Sequence, residues 1–222
     1  AQLYAEPIHI IVLRGRGIAS LGDLRRLTIA VDTEGSPAYL AAIAILNAAR
    51  LARPKVKLVA ADFNHGADLL MARKVDALFV MALAPAESVA QLARRAKIDL
   101  IPLKAKALTA LDKKVFVPAE IASSSYPGVG AVATLGVAMV WITTARANEA
   151  LIHQLAGAVW DETNRGFFSN IAMMPASGLK EAVTGGALPL HPGAERFYRE
   201  MGVLPPLHGD GHAGLTASVK HF

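Results

Sequence analysis

Between residues 7 and 103 short β-branched runs alternate with segments of helical period, and no other feature constrains the fold of this chain as much. Strands are expected at 7–13 (PIHIIVL), 27–31 (LTIAV), 55–60 (KVKLVA), 75–81 (VDALFVM) and 99–103 (DLIPL). Helices are expected at 38–51, 62–74 and 85–97, with Pro85 in the first turn of the third. Ser20 is the expected cap of a single helical turn at 20–24. Strands separated by helices of about 10–15 residues imply right-handed crossovers and an α/β fold with a mixed, mostly parallel sheet.

Beyond residue 105 the pattern changes. Phe116-Val117-Pro118 and Tyr126-Pro127-Gly128 punctuate an extended stretch, and 130–142 is an apolar strand-like run. A long helix at 148–163 carries Leu151, Leu155 and Val159 on one face, short helices are expected within 166–187, and His191-Pro192 opens a last helix. From Leu204 onward Gly, His and Pro dominate, and 205–222 is expected to be a flexible tail.

Composition narrows the function classes. Hydrophobic residues make up 53% of the 222, ample for a buried core, and mean hydropathy is +0.37. A membrane-spanning helix needs about 20 consecutive apolar residues. The longest uncharged stretch, 121–145, opens with Ser123-Ser124-Ser125-Tyr126-Pro127-Gly128, and its apolar part is broken by Thr134 and Gly136, so a buried strand is expected there. The net charge of +5 is spread over scattered pairs such as Arg25-Arg26 and Lys113-Lys114, with 6% aromatics, so no nucleic-acid surface is expected. The absence of cysteine removes disulfides, thiol catalysis and thiolate metal sites. The seven histidines are dispersed, and His208 and His212 lie among glycines, so no metal site is expected. Neither a dinucleotide fingerprint, a phosphate loop nor a nucleophile elbow occurs, and no enzyme activity or cofactor is expected.

The strongest local signal is a strand, a Gly35-Ser36 turn and a helix opening at Pro37. Ser36 can cap the first turn, and Pro37 lacks the amide that would be left without a partner. An exposed helix N-terminus carries about half a positive charge and suits a carboxylate or phosphate at the carboxyl end of a parallel strand. The same arrangement also serves as a plain helix cap.

The order of segments resembles a known family. Tyr4-x-Glu6-Pro7-x-His9, Ser20-Leu21-x-Asp23-Leu24, Gly35-Ser36, Lys74-Val75-Asp76-Ala77-x-Phe79, Tyr126-Pro127-Gly128 and His191-Pro192-Gly193-Ala194-Glu195-x-Phe197-Tyr198-Arg199-Glu200 resemble the solute receptors of tripartite (TRAP) transporters, TAXI subfamily. The last motif is the most specific. The resemblance implies a type II periplasmic-binding-protein-like fold whose two lobes close on a small anionic or amino-acid-like solute, such as an amino acid or dicarboxylate, and pass it to a membrane permease. It implies a strand and hinge of lobe I at 1–24, lobe II at 25–136 and a return to lobe I at 137–204. It also implies a periplasmic location, although no signal peptide is visible at the start of the sequence.

Carried over to this chain, the resemblance puts Thr33, Glu34, Gly35, Ser36 and Pro37 at the cleft, Ala84 and Pro85 opposite or beside them, and Tyr126 near the cleft or hinge. Two departures stand out. The family has about a hundred further residues before the position of Tyr4, so the first lobe is expected to be incomplete and the isolated chain to self-associate or expand. Glu34 places a carboxylate where an anionic solute would be repelled, and Pro37 and Tyr39 alter the family's Gly-Ser-Gly-Thr pattern. A ligand-sensing effector domain of a regulatory or signalling protein is the alternative on the same fold, with closure as its output.

Overall fold

The apolar run near the start of the chain is part of a longer strand, β1 (Gln2–Leu13), around which the computed structural model is built. The structure describes residues 1–52, 54–104, 108–164, 178–184 and 188–205. After β1 come β2 (Thr28–Val31), α1 (Pro37–Ala48), β3 (Lys57–Ala60), α2 (Phe63–Met71), β4 (Ala77–Met81), α3 (Glu87–Arg95) and β5 (Ile98–Leu100). Then follow β6 (Phe116–Ile121), β7 (Val132–Val140), α4 (Glu149–Trp160), α5 (Leu179–Thr184) and α6 (Pro192–Glu200). Of the expected 166–187 helices only α5 lies within the described residues, and the expected tail lies almost wholly outside them.

The strands form one mixed sheet in the order β3-β2-β4-β1-β7-β6, with β5 also on β1. β2 pairs in parallel with β3 and with β4, as the crossover helices predict. Since β4 and β5 both run antiparallel to β1, strands β2 to β5 share one direction and β1 is inserted against them. β1 also pairs antiparallel with β7, and β7 with β6, so the pairings are mixed and predominantly antiparallel. The connection from β1 to β2 explains the reversal. It holds only a 3-10 turn at Leu21–Leu24, with no crossover helix. In that turn Asp23 does more than Ser20: its carboxylate accepts from the amides of Ala19 and Ser20 and from the Ser20 hydroxyl.

Alternation along the central strands divides the core in two. Ile8, Ile10, Val12, Ile29, Val31, Ala77 and Phe79 pack with α1 through Ala41, Ala42, Ile45 and Leu46. On the other face Ile11, Ala30 and Leu78 pack with α2 through Ala67 and Leu70 and with α3 through Val89 and Leu92. Both faces are covered, so these strands are continuously apolar rather than alternating. Pro118, which cannot donate to a ladder, sits on β6 at the end of the sheet order.

A third cluster joins α4, α5 and α6 through Ala156, Ala182, Phe197 and Tyr198. The His191–Glu200 motif makes this junction. The His191 ring accepts from the Gly193 amide and reaches the Ala147 carbonyl through Nε2. Gly193 approaches α4 so closely that a Cβ there would overlap the Glu149 carbonyl. Trp160 Nε1 donates to the Tyr198 hydroxyl at 3.0 Å, and His153 meets Glu200 at 2.6 Å.

Candidate functional site

Because β2, β3 and β4 run parallel, their carboxyl ends face one edge of the sheet, and the 32–36, 61–62 and 82–86 loops leave from that edge. β1 runs the other way, so Pro7, Ile8 and His9 lie at the same edge, in register with Val80 and Met81. The Ala82 amide donates to the Pro7 carbonyl, which ties the loop after β4 to β1. This is where open parallel sheets carry ligands.

Local sequence builds the first loop. Thr33, Glu34, Gly35 and Pro37 are exposed and Ser36 is half-buried. The Asp32 carboxylate accepts from the Thr33 amide at 2.7 Å, and the Ser36 amide donates to the Thr33 carbonyl at 3.0 Å. Gly35 takes φ +85°, the left-handed region that a side chain disfavours. Ser36 caps α1 by accepting from the Tyr39 amide, and Pro37 occupies the first helical position. Asp62 caps α2 in the same way through the His65 amide. Asp32, Glu34 and Asp62 therefore place three carboxyl side chains along an edge that also presents the positive ends of two helices.

The second loop differs from its expected form. Pro85 is not in the first turn of α3, which begins at Glu87 after Ala86, and the Ala84-Pro85 peptide bond is cis. Ala86, with extended backbone, is the residue just before the helix, and its amide donates to the Tyr126 hydroxyl at 3.1 Å. Pro85 is exposed and Ala84 half-buried.

Tyr126 lies behind this loop. Its side chain is buried, and its hydroxyl is 2.8 Å from His9 Nε2. His9 Nδ1 is 3.2 Å from the Pro7 carbonyl. A carbonyl only accepts, so Nδ1 carries the proton, Nε2 accepts from the Tyr126 hydroxyl, and that oxygen accepts from Ala86. Burial lowers the His9 pKa to about 4 against the opposing pull of the Pro7 carbonyl, and burial raises that of Tyr126. Ring packing at 5.6 Å in an edge arrangement completes the contact. At the far end of the turn, Arg14 donates to the Gly128 carbonyl at 2.6 Å and pairs with Asp99.

The structure thus joins Ala84, Pro85 and Tyr126 through Ala86, and sets Thr33 to Pro37 on the same edge. Among the described residues no hydrogen bond links the 32–36 loop to the 82–86 loop. His9 is the residue that sequence reasoning left out. The available signal was a lone imidazole in an apolar strand, at odd parity with Ile11 and so on the α2–α3 face. Among the described residues no group of three or more His, Asp or Glu side chains is placed to hold a metal ion. No helix among them is long and apolar enough to cross a membrane.

Two cavities lie elsewhere. One of about 420 Å3 between the end of β7, α4 and α6 is lined by Trp141, Ile142, Leu155, Trp160, Leu190 and Tyr198. The other, of about 390 Å3, is lined by Leu108, Leu111, Phe116 and Leu135. None of the residues expected at the site lines either one.

Solved structures similar to this chain include Tv2483 bound to L-arginine, at 15% identity, with a TM-score of 0.44, covering 77% of this chain and 55% of that one. The periplasmic aliphatic sulphonate binding protein SsuA from Escherichia coli is 14% identical, with a TM-score of 0.46, covering 91% of this chain and 56% of that one. SsuA from Methylobacillus flagellatus, a periplasmic sulfonate-binding protein, is 18% identical, with a TM-score of 0.45, covering 89% and 52%. The chain spans about half the length of each of these structures. A model of the NMT1-like family matches residues 1–202. The chain belongs to the NMT1-like family.

Proposed function

We propose that this chain is the solute-binding part of an extracytoplasmic receptor of the TRAP type, TAXI subfamily, working in the periplasm with a membrane permease. It holds a small anionic or amino-acid-like solute between two lobes and performs no catalysis. Thr33, Glu34, Gly35, Ser36, Pro37, Ala84 and Pro85 face the solute, and Tyr126 acts from behind the second loop. β1 and β7, which pair with each other over Gln2–Pro7, connect the lobes.

The observation that carries this reading is that the loops after β2 and β4 leave from one edge of the sheet, beside the N-terminus of α1. The helix end attracts a carboxylate, and the neighbouring Asp32, Glu34 and Asp62 side chains suit an ammonium group. A zwitterionic amino acid matches both, and a dicarboxylate matches only the first.

Calorimetric titration of the full chain with L-glutamate, L-arginine and succinate tests the proposal. Heat of binding is expected with at least one of the amino acids. Glu34→Gln is exposed and makes no hydrogen bond among the described residues, so it reads charge without disturbing the fold. It is expected to weaken L-arginine and to strengthen succinate, each by about threefold to tenfold at low salt. No heat and no thermal shift with any of the three would overturn the receptor reading.

A further inference from the structure

We infer that His9 is a positioning residue: through the Tyr126 hydroxyl it fixes the Ala84–Ala86 loop at the edge of the sheet. The inference rests on the proposed binding edge for its bearing on solute affinity, while the clasp itself stands on geometry alone.

The geometry has one consistent direction of donors. Pro7 O accepts from His9 Nδ1, His9 Nε2 accepts from Tyr126, and Tyr126 accepts from the Ala86 amide, at 3.2, 2.8 and 3.1 Å. His9 is wholly buried and Tyr126 nearly so, so this relay has no exchange with solvent to soften it. Ala86 is the residue just before α3 and has no side chain to cap it. In a capping box, the side chain three positions into the helix receives the amide of that residue. Here that position is Val89, an apolar residue buried in the core. A tyrosine from 40 residues further along the chain supplies the acceptor instead. Without His9 to take its proton, the Tyr126 hydroxyl would bury an unsatisfied donor or turn away from Ala86.

Three elements therefore meet at one oxygen: β1, the turn after β6 and the loop after β4. The Ala82 amide on the Pro7 carbonyl anchors the loop's start, and Tyr126 anchors its end. Between them lie Ala84 and Pro85, two residues assigned to the solute edge. Neither His9 nor Tyr126 needs to touch a solute to govern it.

Amide hydrogen exchange on the full chain tests the clasp without any ligand. Tyr126→Phe is expected to raise exchange at Ala86 at least tenfold, leaving Ile10, Ile11 and Val80 within about twofold. His9→Phe should act the same way, and His9→Gln, whose carbonyl can accept from Tyr126, should restore most of the protection. Unchanged Ala86 exchange in Tyr126→Phe, or an equal rise at every core amide, would overturn the inference. If a variant fails to fold, wild-type imidazole nitrogen shifts decide it: a protonated Nδ1 with a bare Nε2 supports the relay, and a protonated Nε2 overturns it. Titration with whichever of L-glutamate, L-arginine and succinate the wild type binds is then read separately. Wild-type binding that weakens in Tyr126→Phe supports the coupling, and wild-type binding that Tyr126→Phe leaves unchanged overturns it. No binding of L-glutamate, L-arginine or succinate by wild type defeats the receptor reading, while the exchange result still decides the clasp.

Discussion

His9 carries an imidazole where its neighbours in β1 carry aliphatic side chains, and its burial has a thermodynamic consequence. An unfolded histidine titrates near 6.5, whereas this one titrates at about 4 in the folded protein. Below the unfolded value the unfolded chain takes up a proton that the folded chain refuses. Stability therefore falls as pH drops from about 6.5 to about 4 and this group takes away nothing further below that, for a total loss of about 3 kcal/mol. Urea titrations between pH 7 and 4 should show this loss in wild type and its near absence in His9→Gln. A pH-independent difference between the two proteins would contradict it. The histidine was visible in the sequence, but its partner was not. Tyr126 is 117 residues away, and no local rule pairs them.

At the scale of elements, the local signals worked where the cause is local. Ser36 and Pro37 begin α1, Asn148 begins α4 by accepting from the Leu151 amide, and His191 begins α6. Ser36→Ala is expected to cost about 1 kcal/mol of stability, measured by chemical denaturation, because the Tyr39 amide loses its acceptor. The His191–Glu200 motif was the most specific run in the sequence, and its work is structural. Gly193 lets α6 cross α4 at backbone contact, so Gly193→Ala should destabilise that junction by about 2 kcal/mol or more. Exchange at α4 and α6 amides reports it, and a neutral Gly193→Ala would remove this explanation of the motif. Pro85 misled because a proline before a helical run usually sits in the first turn. Here Ala86, with extended backbone, stands between Pro85 and the helix, and the acceptor for its amide comes from another part of the chain.

Across the whole molecule the sheet has two broad cores, while the helices α4 to α6 share a small one centred on Phe197 and Tyr198. Stability follows buried apolar contacts, so the helical cluster should open before the sheet does. Native-state exchange is expected to place α4 and α6 amides well below those of Ile10, Ile29 and Leu78. Equal protection in both regions would show that they unfold as one unit. Crossover spacing made the common direction of β2 to β5 readable in the sequence. It could not reveal that β1 runs between β4 and β5 in the opposite sense. It also missed the first five residues of β1, where Gln2 and Glu6 break the apolar pattern and the ladder is completed by β7.

By itself, then, the sequence determined most of the described elements, the starts of α1, α4 and α6 and the loop at Gly35-Ser36, because periodicity, turn chemistry and capping act over a few residues. Tertiary structure alone decided the direction of β1, the late start of α3 and the meeting of His9 with Tyr126 and Ala86. Those depend on hydrogen bonds and packing between segments tens to more than a hundred residues apart, which become specific only once the sheet has formed.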